Sequence, residues 1–112
     1  MSDFNENDEI FYFLSSVWNI TKAQELIKAG AGTEKTINVK EAAEILGLLV
    51  IDKEHAETVD LTKPLIGIIH ETEKYLLIID GWHRIYKAYT KNIKTLSCIV
   101  LDVADSKKVK VR

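Results

Sequence analysis

The sequence predicts an α+β fold, a small mixed β-sheet with packed helices, and three observations carry that prediction. The apolar runs Leu65 to Ile69 and Tyr75 to Ile79 flank the polar connector His70-Glu71-Thr72-Glu73-Lys74, a length suited to a β-hairpin. Asp80-Gly81 then interrupts the second run, and Trp82, Ile85, Tyr86 and Tyr89 follow helical spacing through Lys91. Upstream, Thr21 with Gln24 and Asn38 with Glu41 each have capping-box spacing ahead of a one-sided apolar face.

In chain order, Ile10 to Leu14 fits a strand or a helical turn. From Thr21, the residues Ala23, Leu26 and Ile27 share one face up to Gly30, a left-handed stop, which predicts a short helix. Gly30-Ala31-Gly32-Thr33 reads as a punctuating loop. A second helix is expected from Asn38, with Ala42, Ala43, Ile45 and Leu46 buried and Gly47 ending it. Leu48 to Ile51 is apolar, and the polar stretch from Asp52 to Asp60 leads to Pro64, placed just before a strand where a missing backbone donor does little harm. Leu96 to Leu101 is a further β-rich run after the helix beginning at Trp82, and Val109 to Val111 suggests a short edge strand.

With 112 residues, 46% hydrophobic and 29% charged, the chain has the composition of one globular domain spanning 1–112, with termini 1–9 and 105–112 expected to be flexible. No apolar run approaches the roughly 20 residues that cross a bilayer, and the acidic start lacks the basic region of a signal peptide. A membrane partner is not expected. Lys+Arg at 15 against Asp+Glu at 17 gives no overall attraction to nucleic acid or anionic lipid. The single cysteine, Cys98, has no internal partner, which fits a reducing compartment and a cytoplasmic location. His55, His70 and His83 lack metal-ligand spacing, and no structural zinc is expected.

Chemistry concentrates at Ile78-Ile79-Asp80-Gly81-Trp82-His83-Arg84. A glycine between strand and helix lets the backbone turn tightly, and the first helical N–H groups form a ready anion site. His83 and Arg84, in the first turn, could add an imidazole and a guanidinium fork around a phosphate. Asp80 has two readings: an N-cap that accepts from the N–H of Trp82 or His83, or a carboxylate associated with a Mg²⁺ ion that bridges to the phosphate. Trp82, at the helix start, is the member of the aromatic stripe expected to stand apart from the core and offer stacking to a base. Arg84, Lys87, Lys91 and Lys94 form a candidate basic strip, with Glu71 and Glu73 expected nearby.

These residues carry a resemblance. The stretch 64–101, centred on Tyr75-Leu76-Leu77-Ile78-Ile79-Asp80-Gly81-Trp82-His83-Arg84-Ile85-Tyr86-Lys87-Ala88, resembles the ParB/sulfiredoxin superfamily, whose members show a strand, a Gly-x-x-Arg turn and a helix with an early alanine. Ala88 fits that alanine, Ser97-Cys98-Ile99-Val100 takes the place of the following strand, and Pro64-Leu65-Ile66-Gly67-Ile68 resembles the preceding one.

The resemblance implies a ParB/sulfiredoxin-like fold in which Gly81, Trp82, His83 and Arg84 meet the phosphates of a nucleotide, with Asp80 beside them. It implies a nucleoside di- or triphosphate with Mg²⁺ as the ligand, and phosphoryl transfer or hydrolysis as the reaction class if the chain is an enzyme. Activities in that superfamily range from CTP hydrolysis to ATP-dependent phosphorylation of a cysteine sulfinic acid, ADP-dependent phosphorylation of serine, and nuclease action, so fold alone does not choose. Sulfiredoxins place a reactive cysteine just before the His-Arg pair, where this chain has Trp82. Glu41, Glu44 and Glu57 are the carboxylates that could activate a substrate hydroxyl. The alternative reading is a non-enzymatic module of the same fold that binds DNA or a protein partner.

Overall fold

A computed structural model describes residues 7–72 and 74–112. Its framework is a four-stranded mixed sheet in the order β3-β6-β4-β5, made of β3 (Thr33–Asn38), β4 (Leu65–Ile69), β5 (Leu76–Asp80) and β6 (Thr95–Leu101). β4 pairs antiparallel with β5 and parallel with β6, and β3 closes the far edge antiparallel to β6. A separate antiparallel ribbon joins β1 (Ile10–Phe13) to β2 (Ser16–Asn19), with Phe11 opposite Trp18. The sequence-based α+β expectation with a small mixed sheet therefore holds, including the 65–79 hairpin and the strand at 95–101.

β4 and β5 are buried on both faces and read as continuous apolar runs, while the first half of β6 alternates, with Thr95 and Ser97 exposed between buried Leu96 and Cys98. On one face Leu65, Ile78, Leu96, Cys98 and Val100 pack under α4 (Trp82–Thr90), with Trp82, Ile85 and Ala88 pointing inward, and under Val39 of α2 (Val39–Ala43). On the other, Ile66, Ile68, Leu77, Ile79 and Leu101 pack with Ala23 of α1 (Ile20–Lys28), Trp18 of β2 and Val109 of α5 (Val103–Val109). Fully burying a Leu or Ile contributes about 1.5–3 kcal/mol, which makes Leu65, Ile68, Ile79 and Ile85 principal anchors.

Three local expectations are corrected, and one helix forms where the sequence shows no element. Asn19, not Thr21, caps α1: its Oδ1 accepts from the Lys22 N–H at 2.9 Å, while Thr21 Oγ1 accepts from the Glu9 N–H at 2.7 Å. Asn38 caps α2 by accepting from the Glu41 N–H, but the helix stops at Ala43, and Gly47 lies inside a 3-10 turn, Leu46–Leu48. The polar stretch after Asp52 contains α3 (Lys53–Thr58), begun by Asp52 Oδ1 accepting from the N–H groups of Glu54 and His55. Of the chain end expected to hold an edge strand, Val109 closes α5, capped by Asp102, while Lys110 bridges Trp18 and the Val111 N–H donates to the Val17 carbonyl. That helix overlaps the stretch 105–112, and its Val109 is buried. At the other end, Glu9 accepts through its carbonyl from the Ile20 N–H, while residues 1–6 lie outside the described part. No helix among the described residues is long and apolar enough to cross a membrane.

Candidate functional site

β5 delivers Asp80 to the end of the sheet, and Gly81 turns the chain into α4 with φ +108° and ψ 14°. A Cβ at Gly81 would run into the Leu65 side chain and lie 2.9 Å from Arg84 Nη2, so both the dihedral and the space require glycine. No side chain caps the helix, and its first backbone bond runs from the Ile85 N–H to the Gly81 carbonyl. The amides of Trp82, His83 and Arg84 precede that bond, and the positive end of the helix dipole lies with them.

Asp80 is therefore not the N-cap. Its Oδ2 instead lies 3.4 Å from Arg84 Nη2, a long ion pair one helical turn apart. Arg84 Nη2 also donates to the Pro64 carbonyl at 3.2 Å, which ties the start of α4 to the start of β4. Arg84 Nε is shielded from water and has no partner, so this guanidinium is fixed in place with its donor capacity only partly used. The Trp82 indole corrects another expectation: the residue is only 7% exposed, and its Nε1 donates to the Ile78 carbonyl at 2.9 Å. Only its backbone N–H remains for a ligand.

These residues open onto a cleft of about 720 Å³ whose lining includes Asp80, Gly81, His83 and Arg84 together with Lys63 and Pro64. The lining also includes Glu9, Thr21, Glu25 and Lys28, His55 of α3 and Val59 just after that helix. The lining is charge-balanced, with Lys28, Lys63 and Arg84 against Glu9, Glu25 and Asp80, apart from the two imidazoles. Desolvation raises the Glu9 carboxyl above its usual range, and repulsion from Asp80 adds to this while Arg84 opposes it.

His83 ties α4 to the start of α3. Its Nε2 accepts from the Asp52 N–H at 3.2 Å, and its ring meets that of His55 edge to face with centroids 4.9 Å apart. Desolvation, then the neighbouring His55, hold its pKa below the ordinary histidine value, while Asp52 and Asp80 pull the other way. His70 stacks on Tyr75 instead of joining the pair, and no group of three or more His, Cys, Asp or Glu residues suited to a metal ion occurs among the described residues.

Two of the four members of the candidate basic strip are engaged, while Lys91 and Lys94 are exposed. Arg84 is tied to Pro64 and Asp80, and Lys87 Nζ donates to the Val59 carbonyl at 2.8 Å. Glu71 pairs with Lys107 at 3.3 Å, and Glu73 lies outside the described residues. None of Glu41, Glu44 and Glu57 lines the cleft, whose carboxylates are Glu9, Glu25 and Asp80. Cys98 is buried, and desolvation pushes its thiol up to about 12, which makes it an inert core side chain.

Glu9, Thr21, Glu25, Lys28, His55, Val59 and Lys63 are lining residues that no local sequence signal places at this site. Their approach to Gly81 is a tertiary effect with no motif of its own; only the Lys63-Pro64 step ahead of β4 hints at proximity. Compared with protein-family models, curated proteins and solved structures, the chain matches none.

Proposed function

We propose that this chain is a phosphate-binding domain that takes a nucleotide, or another small phosphorylated ligand, in the cleft at the start of α4. The observation that carries the reading is the uncapped, glycine-initiated helix start with a fixed, incompletely bonded Arg84 beside it. The free amides would hold phosphate oxygens, and Arg84 would supply charge-assisted bonds without an ordering cost, because Gly81 and Pro64 already position it. The Gly81-to-Arg84 resemblance to the ParB/sulfiredoxin superfamily supports the same placement. Carboxylates at the cleft, Asp80 and Glu9, disfavour a bare anion, so a ligand carrying Mg²⁺ on its phosphate oxygens suits the site better than free phosphate. When bound, Mg²⁺ would neutralise phosphate charge, the main requirement of phosphoryl transfer or nucleotide hydrolysis, the reaction class we attach to this reading.

A thermal-shift titration with CTP, ATP, ADP and GTP, each with and without Mg²⁺, tests it. A ligand at about 100 times its dissociation constant adds roughly 2.7 kcal/mol. The expected result is a rise of several degrees with at least one nucleotide, and a roughly tenfold weaker affinity in Arg84→Lys, which keeps the charge and loses the fork. No shift with any nucleotide would overturn the reading. Salt-sensitive melting shifts with DNA alone would favour the non-enzymatic module.

A further inference from the structure

The two ties that hold α3 against α4 respond differently to protons. At its N-terminal end the Asp52 N–H donates to His83 Nε2, a bond that requires a neutral imidazole protonated on Nδ1. At its C-terminal end Lys87 Nζ donates to the Val59 carbonyl, a bond that a lysine ammonium keeps from neutral to mildly acidic pH. Between them only Ala56 is buried. The segment entering α3 is held on one side only: Leu49 and Ile51 pack against the core, while Leu48 is 70% exposed and Val50 97% exposed. Since His55 and Val59 line the cleft, α3 is one of its walls.

We propose that α3 is a proton-operated wall of the cleft: protonation of His83 removes the acceptor for the Asp52 N–H and frees the first turn of α3, while the Lys87–Val59 tie holds the other end as a pivot. The charged and titratable groups acting on His83 are His55 and Asp52 from the α3 side and Asp80 from β5. Repulsion from His55 opposes positive charge on the His83 ring. The Asp52 carboxylate is already engaged with the N–H groups of Glu54 and His55. If the imidazolium turns towards Asp52 or Asp80, it leaves the Asp52 N–H, so the amide loses its acceptor by either route. The device involves no ligand and stands independently of the phosphate-site reading.

The test is amide hydrogen exchange on the ligand-free chain at pH 7.5 and pH 5.0, with protection expressed relative to the intrinsic rate at each pH. Protection at Asp52 is expected to fall about tenfold at the lower pH, in line with the loss of one hydrogen bond. The Lys91 amide, bonded to the Lys87 carbonyl, is the reference that should not move. In His83→Gln, whose amide oxygen accepts without titrating, the fall should vanish. A fall below twofold in the wild type, or an equal fall in His83→Gln, overturns the proposal. Should that variant fail to fold, a wild-type NMR titration decides: the Asp52 amide shift must share its midpoint with the His83 ring, and a different midpoint overturns the proposal.

Discussion

Gly81→Ala perturbs the point at which strand, helix and cleft meet, and its cost can be worked from the geometry. At φ +108° a side chain is strained, at about 1–3 kcal/mol. The new methyl would also press on Leu65, which is fully buried, and lie 2.9 Å from Arg84 Nη2, adding an overpacking cost of about 1–3 kcal/mol. Restricting the unfolded chain returns about 0.4–1 kcal/mol. The net expectation is about 3 kcal/mol of destabilisation, within about 1–5.6 kcal/mol.

Two other glycines separate the contributions. Gly30 has φ +104° with open space around it, so Gly30→Ala carries the same dihedral strain of about 1–3 kcal/mol, less the same unfolded-chain return, without the overpacking cost. Gly47 has neither a positive φ nor a neighbour within 4 Å, so Gly47→Ala should be neutral or stabilising by up to about 1 kcal/mol. Urea unfolding at pH 7.5 reads all three, with Gly81→Ala lowering the midpoint by about 1–2 M for the slope typical of small domains. Destabilisation of Gly81→Ala no greater than that of Gly30→Ala would refute the claim that the Leu65 and Arg84 contacts exclude a side chain there.

Other outcomes follow from the titrating groups. Because folded His83 is held below its ordinary value, the unfolded chain binds more protons just below pH 6.5; its contribution to stability should fall as pH drops through that region, and His83→Gln should flatten the urea-midpoint profile between pH 7.5 and 5.5. Cys98, with its thiol pushed up to about 12, should resist iodoacetamide at pH 8 in the folded protein and react in urea; its stabilising contribution is lost as pH rises from about 9 towards 12. Glu9→Gln removes a carboxylate that Asp80 repels and should tighten binding of any nucleotide found to bind by roughly twofold to fivefold, read by isothermal titration.

How much of this was legible in the chain depended on whether a segment's structure is set by its neighbours in sequence. Leu65 to Ile69 and Leu76 to Asp80 declare themselves because both faces are buried, and α4 does so because Trp82, Ile85 and Ala88 recur on one side. β3 is hard to see: Thr33–Asn38 is an edge strand with mostly exposed polar side chains, and its pairing partner lies some sixty residues on, from Thr33 opposite Val100 to Asn38 opposite Thr95. α3 and α5 are short and polar, held by Asp52 and Asp102 caps and by a few buried contacts, so they lack a long apolar stripe. Asp80 failed as a predicted cap for a physical reason: the Gly81 turn leaves it on the strand, where its reachable donor is Arg84 one turn later. Trp82 was misplaced because a residue in the first turn is not necessarily at the surface; here α4 lies on the sheet from its first residue, and the indole N–H finds the Ile78 carbonyl.

The charge pattern of the cleft bears on which ligand the proposed site would favour. Its three fixed cations are matched by three carboxylates, so the lining as a whole offers an extended polyanion little net attraction. Attraction is local instead, concentrated where the unbonded amides of α4 meet Arg84, with Glu9 and Asp80 acting against an unneutralised anion. A compact phosphate whose charge is partly cancelled by a divalent cation gains the amides and the guanidinium without meeting the full repulsion of the carboxylates. A nucleic-acid backbone would need a row of free cations, and two members of the row along α4, Arg84 and Lys87, are already committed to the carbonyls of Pro64 and Val59. On the reading proposed above, the same bonds that assemble the cleft around a small ligand take the basic side chains of α4 away from a larger one.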